Sequence, residues 1–444
     1  MNQTDLLILG KALKKLKQGF PEFPDTLNDE NQQKIEKILL EVAGRMHNNF
    51  PYFQPHYAGQ MLKPPHAVAR LAYMLSLYIN PNNHALDGGR ESSAMEKECI
   101  TGLSKMFGWD NSLGHLTSGG TFANLEALWV AGKINPEKKI VASQMAHYTH
   151  ARISAVLGLG FEEIKADGKG KMDIAHLEET AKKGEIGTVV ATMGTTGAGA
   201  VDPLDKILEL SRKYGFRVHA DAAYGGYYRL ATNLSPETTN LYHLLNQVDS
   251  IVVDPHKHGL QPYGCGCILF KNPDTGRFYK HDSPYTYFSS NELHLGEISL
   301  ECSRAGASAV ALWATMQLMP LLPGGEMTEN LNQCHRAALK LYDKIDKDDR
   351  FIGINVPELD IVVWAPKANK LSEISRYSHE IFNTAAEKFN LHLALYSYPA
   401  GLLNEKWNGI EKDAQQVTCL RSCLMKPEHL DFIDQIWEII VSCL

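Results

Sequence analysis

The chain has 444 residues, of which 44% are hydrophobic and 21% are charged, a composition typical of globular proteins. A formal net charge of -7 gives no broad positive field, which argues against nucleic acid or an anionic membrane as a partner. The eight cysteines lack the spacing of a disulfide scaffold, and neither Cys265 and Cys267 nor His147 and His150 have the matching second pair of a zinc site, so no bound metal is expected.

The N-terminal part is predicted to contain an amphipathic helix whose apolar face serves packing. Between Asn31 and Phe50 the apolar residues recur at helical spacing and form one stripe: Ile35, Ile38, Leu39, Val42 and Met46. The first residues lack the layout of a signal peptide, and no apolar run approaches the length of a membrane-spanning helix. We therefore expect a cytoplasmic protein.

Residues 51–90 are rich in aromatic residues, His, Pro and Asn, and their middle, His66 to Tyr78, is predicted to be a helix. The flanking segments are predicted to be ordered loops, because their aromatic side chains would otherwise be exposed to water. Since such loops often line a pocket, several of their side chains are candidate substrate contacts, although a structural role is at least as well supported for each: Tyr57, His84, His56 and Gln60.

Two glycines flanked by hydroxyl residues, Thr117 to Thr121 (TSGGT), precede a predicted helix, Thr121 to Gly132. Backbone N–H groups and the helix dipole attract an anion at such a helix N-terminus. The motif alone is a weak signal, since most such runs are turns. A predicted strand, Lys139 to Ala142, then leads to His147 at the start of another helix, where capping or packing is the ordinary role.

The next segments alternate strand, loop and helix in the manner of a parallel sheet. A mostly apolar strand, Thr188 to Met193, ends in a loop that contains Thr195 and Thr196, and a helix restarts after Pro203. After residue 261, Pro262 to Phe270 is predicted to be a strand that returns antiparallel or lies at an edge.

Two strands in this region end in residues suited to pyridoxal phosphate. Phe216 to Asp221 is followed by AAYGG, and Ser250 to Val253 is followed by DPHK, which ends at Lys257. Open α/β sheets bind ligands at the carboxyl ends of their strands. A lysine there can form the Schiff base, and an aspartate can keep the pyridine nitrogen protonated so that the ring accepts electrons. A solvated lysine is the alternative, and the pairing with Asp221 argues against it.

From about Gly324 the pattern predicts a small α+β domain. Its predicted helices and strands alternate in the order Met327 to Ile345, Leu359 to Trp364, Leu371 to Phe389, Leu391 to Ser397 and Pro427 to Cys443.

The motifs at 117–121, 221–226 and 254–257 resemble those of the group II pyridoxal-phosphate-dependent amino acid decarboxylases, which have the type I, or aspartate aminotransferase, fold. The similarity in order and spacing runs from about Pro51 to the region of Arg421. It implies an α/β protein with a mainly parallel, seven-stranded type of sheet in a large domain and a small α+β C-terminal domain. The expected divisions are an N-terminal dimer-wrapping segment (1–60), a large cofactor-binding domain (61–323) and a small domain (324–444).

The resemblance also implies the roles of individual residues. In that family the cofactor phosphate is bound at positions that correspond to Ser118, Gly119, Thr121 and His256. The histidine at His147 stacks on the pyridine ring, and Ala223 and one of the two threonines, for which we favour Thr195, lie near the cofactor. Arg421, on a predicted strand, engages the substrate carboxylate, for which its permanent, bidentate charge is suited.

The sequence departs from the family in the long loop after Asn272. The family's loop tyrosine reaches the partner subunit's active site and protonates the substrate carbon. Counting back from Arg304 and Trp313, its place falls near His294, so either His294 donates the proton or Tyr285 or Tyr287 does so from another register.

The expected reaction is decarboxylation of an L-amino acid to an amine and CO2, through a Schiff base on Lys257 and a quinonoid intermediate. Another type I enzyme, either a carbon–carbon lyase or an aminotransferase, is the alternative, and a non-catalytic relative is a third. The resemblance further implies a homodimer with shared active sites. The substrate stays open, since the aromatic residues of 51–57 suit an aromatic side chain, whereas several basic residues suit an acidic one: His56, His66, Lys63 and Arg304.

Overall fold

The computed structural model describes residues 3–20, 23, 29–280 and 299–444. The three candidate proton donors, His294, Tyr285 and Tyr287, lie outside the described residues. Within that part of the chain, no helix is both long enough and apolar enough to cross a membrane.

The larger of two sheets has seven strands in the described residues: β1 (Leu113–Thr117), β2 (Lys139–Ser143), β3 (Phe161–Ile164), β4 (Ile186–Thr192), β5 (Arg217–Asp221), β6 (Ser250–Val253) and β7 (Gly266–Phe270). Their order across the sheet is β1-β7-β6-β5-β4-β2-β3. The prediction of a mainly parallel sheet is confirmed, since only β7 runs against its two neighbours, β1 and β6. The antiparallel direction predicted for Pro262 to Phe270 is also confirmed, but an edge position is wrong because β7 lies inside the sheet.

The strands at the centre of this sheet are buried along their length, as expected where helices cover a parallel sheet. All seven residues of β4 and all four of β6 are buried, and they are mostly β-branched or small. Helices cover the molecule around both sheets: α1 (Gln3–Lys17), α2 (Asp29–Met46), α3 (Ala67–Ser76), α4 (Arg90–Met106), α5 (Gly120–Ile134), α6 (Thr149–Val156), α7 (Ile174–Ala181), α8 (Leu204–Tyr214), α9 (Pro236–His243), α10 (Gly306–Leu318), α11 (Glu326–Lys347), α12 (Leu371–Phe389) and α13 (His429–Ser442).

The smaller sheet lies in the C-terminal part of the chain. Its strands are β8 (Phe351–Gly353), β9 (Ile361–Pro366), β10 (Ala394–Pro399) and β11 (Gln416–Cys423), in the order β10-β11-β9-β8, and every pair is antiparallel. Helices α11 and α12 pack against it, and α13 packs against α11 and α12. The predicted α+β character of this region is thus confirmed, and α12 has the predicted bounds.

The two N-terminal helices carry apolar side chains that remain exposed in the described part of the chain. Helix α2 confirms the predicted helix, but its stripe is largely exposed: Ile38 48%, Leu39 61%, Val42 50% and Met46 61%. Helix α1 contains no buried residue, and Leu6, Leu7 and Ile8 are each at least half exposed. The described residues leave this face exposed, and the prediction that it serves packing stays a prediction.

Candidate active site

The ends of neighbouring elements surround one cavity of about 440 Å³. Strands β4, β5 and β6 lie side by side and parallel, so the loops after their carboxyl ends meet at one edge of the sheet. The N-terminus of α5 completes the wall. The lining residues that carry hydroxyl, imidazole, carboxylate or amine groups are Ser118, Thr121, His147, Thr149, Thr192, Thr196, Asp221, Tyr224, Asp254, His256 and Lys257.

Lys257 is oriented by a buried carboxylate. Its Nζ lies 3.0 Å from Oδ2 of Asp254, which is 2% exposed, and its backbone N–H donates to the Asp254 carbonyl at 2.9 Å. The other carboxylate oxygen, Oδ1, has no hydrogen-bond partner among the described residues. Sequence reasoning left Asp254 out of the site, although the three-residue spacing in DPHK is the spacing of a tight turn that brings the two side chains together.

Asp221 ends β5 and is 6% exposed. Its Oδ2 lies 2.8 Å from Nε2 of His150, and its Oδ1 accepts the N–H of Ala223 at 3.2 Å. Burial by itself would raise the pKa of the Asp221 carboxyl, but the hydrogen bond from His150, together with the charge of Lys257, holds that pKa well below its ordinary value. The carboxylate is therefore ionised in a buried position.

The glycine-rich turn leads into α5 without a side-chain cap. Gly119 is the N-cap residue, and no side chain in the described part of the chain accepts the first helical N–H groups. Gly120 is required by close approach, because a Cβ there would lie 2.6 Å from Asp254 Oδ2. The Ser118 N–H donates to Glu301 Oε2 at 3.0 Å. An uncapped helix N-terminus at a cavity suits an anion.

Two histidines line the cavity in the neutral form. Burial lowers the pKa of His147, and its Nδ1 accepts the hydroxyl and the N–H of Thr149, which holds the ring at one orientation. Burial also lowers the pKa of His256, whose Nδ1 accepts the Cys265 N–H at 3.4 Å and whose Nε2 lies 3.5 Å from Asp254 Oδ2. A neutral, flat imidazole fits the stacking predicted for His147.

The structure favours Thr196 over Thr195. Thr196 lines the cavity, whereas Thr195 is 1% exposed, and its Oγ1 accepts the N–H of Ala200 at 3.0 Å inside the loop. The preceding Gly194 has a φ of 107°, a conformation that glycine allows. The preference for Thr195 stays a prediction, with Thr196 as the alternative that lines the cavity.

None of the five predicted substrate contacts lines this cavity: Tyr57, His56, Gln60, His84 and Arg421. Tyr57 and Arg421 form a separate cluster around Gln60, in which Arg421 Nη2 donates to Gln60 Oε1 at 3.2 Å and the Gln60 N–H donates to Tyr57 Oη at 3.4 Å. Arg421 is 6% exposed and lies near Tyr224. His84 packs against the turn at Gly88, away from both groups.

Most of the basic side chains proposed for an acidic substrate have structural contacts. Arg304 Nη1 lies 2.8 Å from Glu96 Oε1, with both side chains buried. Lys63 Nζ donates to the Met425 carbonyl at 2.9 Å, and His66 caps α3 by accepting the Val68 N–H at 3.2 Å. The charges of these side chains suggest an acidic substrate. Their structural contacts weaken that argument.

The donors of the cavity fit pyridoxal 5'-phosphate. The uncapped helix N-terminus suits its phosphate, the buried ionised Asp221 suits its protonated pyridine nitrogen, and the amine of Lys257 suits its aldehyde. Sequence reasoning missed Thr149, Tyr224 and Asp254 as lining residues, although each lies within three positions of a residue that it selected.

Comparisons with known proteins show the family of the chain. A family model described as the pyridoxal-dependent decarboxylase conserved domain matches residues 17–367. The chain is 26% identical to the L-tyrosine decarboxylase of Enterococcus faecium, over 88% of this chain and 85% of the relative. It is 30% identical to the probable L-tyrosine/L-aspartate decarboxylase of Methanothermobacter thermautotrophicus, over 60% of this chain and 72% of the relative.

Solved structures of the same fold cover the whole chain. Mouse CSAD superposes with a TM-score of 0.78 over 99% of both chains at 18% identity. Oryza sativa TDC, solved with PLP and tryptamine, gives a TM-score of 0.78 over 100% of this chain and 98% of that chain at 17% identity. The predicted type I fold is confirmed.

Proposed function

Because the chain belongs to the pyridoxal-dependent decarboxylase family, and is thus a carboxy-lyase that uses pyridoxal 5'-phosphate, we propose that it converts an L-amino acid to the corresponding amine and CO2 with Lys257 as the cofactor-binding lysine. The observation that carries the proposal is the meeting of Lys257, the ionised Asp221 and the uncapped N-terminus of α5 at one cavity.

The residues of the cavity have separate tasks in this proposal. Bound there, the cofactor supplies a protonated pyridine ring that accepts the electron pair left when the bond to the carboxylate carbon breaks. Asp221 keeps the ring nitrogen protonated, and the N-terminus of α5, with Ser118, Gly119, Thr121 and His256, holds the phosphate. His147 presents a neutral ring face, and Asp254 keeps the Lys257 amine in place.

Orientation of the substrate decides which bond breaks. We assign Arg421 to the substrate carboxylate, with Tyr57 and Gln60 beside it, because a buried guanidinium with a polar neighbour suits a carboxylate. The proton that returns to the product carbon is assigned to His294, Tyr285 or Tyr287, outside the described residues. A homodimer with shared active sites also belongs to the proposal, supported by the exposed apolar residues of α1 and α2.

The test is product analysis of the cofactor-loaded protein with a panel of L-amino acids that includes tyrosine, tryptophan, aspartate, glutamate and 2,4-diaminobutyrate. We expect mass spectrometry to find one amine lighter than its parent by CO2. The Lys257→Ala variant should lose the visible absorption band of the bound cofactor and lower the rate by about a thousandfold or more.

The matched control is Lys271→Ala, since Lys271 is an exposed lysine at the far end of β7 and should retain both the band and the rate. A keto acid or an aldehyde as the main product would refute the decarboxylase assignment. An unchanged absorption band in Lys257→Ala would refute the role of that lysine.

A further inference from the structure

His150 is a buried histidine that contacts the site from behind the cavity wall. It is the second residue of α6 and 1% exposed, and it does not line the cavity. Sequence reasoning considered the pair His147 and His150 only as metal ligands and rejected that role. The fold gives the two histidines different neighbours, since His147 faces the cavity and His150 contacts Asp221.

The contact defines which nitrogen of His150 carries the proton. Nε2 lies 2.8 Å from Asp221 Oδ2, and an ionised carboxylate can only accept a hydrogen bond, so Nε2 is the donor. Nδ1 is buried without a hydrogen-bond partner in the described part of the chain. The contact with Asp221 is therefore the one hydrogen bond that the described residues give the His150 ring.

The same contact leaves Asp221 with one oxygen for the cofactor. Oδ2 is occupied by His150, whereas Oδ1 accepts, among the described residues, only the N–H of Ala223, at 3.2 Å, and retains a lone pair. The two hydrogen bonds together fix the plane of the carboxylate. A second buried histidine, His219, lies near this pair but bonds to Asn124 and Ser250 at 2.8 Å and 2.9 Å, so it does not compete for Asp221.

We propose that His150 is a positioning residue that holds the Asp221 carboxylate ionised and aimed at the pyridine nitrogen of the cofactor. The inference rests on the proposed role of Asp221. The proposal predicts that His150 strengthens cofactor binding through the contact between Asp221 and the pyridine nitrogen. It predicts no contribution of His150 through other parts of the cofactor.

The experiment compares the binding of pyridoxal phosphate with that of its 1-deaza analogue, in which a C–H group replaces the ring nitrogen. Dissociation constants are measured on the apoprotein by fluorescence quenching, without substrate. We expect His150→Phe to weaken pyridoxal phosphate binding by about tenfold, the scale of one charge-assisted hydrogen bond, and to change analogue binding by less than about threefold. His150→Gln retains an N–H donor and should restore most of the selectivity, that is, the preference for pyridoxal phosphate over the analogue.

The controls separate this effect from a general loss of packing. His335→Gln removes another buried histidine, 3% exposed on α11 and bonded to Asn233, and should leave both dissociation constants unchanged. Thermal unfolding of each apoprotein checks that the variants fold, and His150→Leu replaces His150→Phe if the larger ring is not accommodated.

Three results have distinct meanings. Equal weakening of both ligands by His150→Phe would overturn the inference, because it would show an effect through packing. Retained selectivity in His150→Phe would overturn it as well, because Asp221 would then act without His150. Equal binding of the two ligands by the unsubstituted protein would instead contradict the proposed role of Asp221.

Discussion

Asp254 illustrates how a buried carboxylate can serve several neighbours in a small space. Its Oδ2 lies 3.0 Å from Lys257 Nζ and 3.5 Å from His256 Nε2, while the absent Cβ of Gly120 makes room for the carboxylate beside α5. Removing one member of a buried ion pair leaves an uncompensated charge and is strongly destabilising. The same carboxylate therefore links the position of the reactive amine to the stability of the loop that carries it.

The two threonines after β4 give a residue-scale prediction. Thr196→Val should weaken pyridoxal phosphate binding by about threefold to tenfold, because it removes a hydroxyl from the cavity wall. Thr195→Val should leave binding unchanged but lower the free energy of unfolding by about 1–3 kcal/mol, because the buried N–H of Ala200 loses its acceptor.

Equilibrium dialysis with the cofactor and urea unfolding of the apoprotein give the two quantities for each variant. The reverse pattern, with weaker binding in Thr195→Val alone, would restore the original preference for Thr195.

At the scale of elements, the site depends on where strands end and where one helix begins. The parallel neighbours β5 and β6 present Asp221 and the loop with Lys257 at the same edge of the sheet. The small sheet reaches the cavity as well, because Asp360, just before β9, accepts the hydroxyl of Tyr224 at 2.6 Å and lies 3.2 Å from Nε2 of His258. Tyr224 lines the cavity, so a buried hydrogen bond connects the loop after β5 with the small sheet next to the cavity.

The start of α5 gives the element-scale prediction. Gly120→Ala would place a methyl group 2.6 Å from Asp254 Oδ2, so the carboxylate or the helix must shift, and we expect cofactor affinity to fall by about tenfold or more. Gly168→Ala is the matched control, because its added Cβ meets no atom within 4 Å and Gly168 does not line the cavity.

Dissociation constants for pyridoxal phosphate, measured side by side on the two variants, test the prediction. If both glycine variants bound the cofactor equally, the proposed phosphate site at this helix would need revision.

At the scale of the whole molecule, helices α1 and α2 carry apolar side chains that the described part of the chain leaves exposed. An apolar stripe with about half or more of each side chain exposed is unusual for a monomer in water and typical of a surface that another chain covers. The divisions predicted at residues 60 and 323, and the cytoplasmic location, stay predictions.

The proposed dimer gives the prediction at this scale. Leu39→Asp introduces a charge into the stripe, where Leu39 is 61% exposed, and should shift the protein from dimer to monomer in light scattering after size-exclusion chromatography. Leu322→Asp changes a leucine of similar exposure, 64%, outside these helices and should leave the mass unchanged. A monomeric mass for the unsubstituted protein would refute the homodimer.

Local sequence determined much of this protein. The alternation of apolar strands and amphipathic helices specified the parallel sheet and the small α+β region, because side-chain periodicity decides which face of an element is buried. The motifs around Asp221 and Lys257 were informative because each lies directly after a buried strand, and parallel neighbouring strands end at the same edge.

Tertiary structure alone decided the contacts between distant segments and the direction of individual side chains. His150 and Asp221 are 71 positions apart, and nothing in the local pattern of either predicts their hydrogen bond. The loop after β4 places Thr196, and not Thr195, at the cavity, and the pairing of β7 with β1 places an antiparallel strand inside the sheet. Periodicity reports burial along one element, whereas these choices depend on how separate elements pack together.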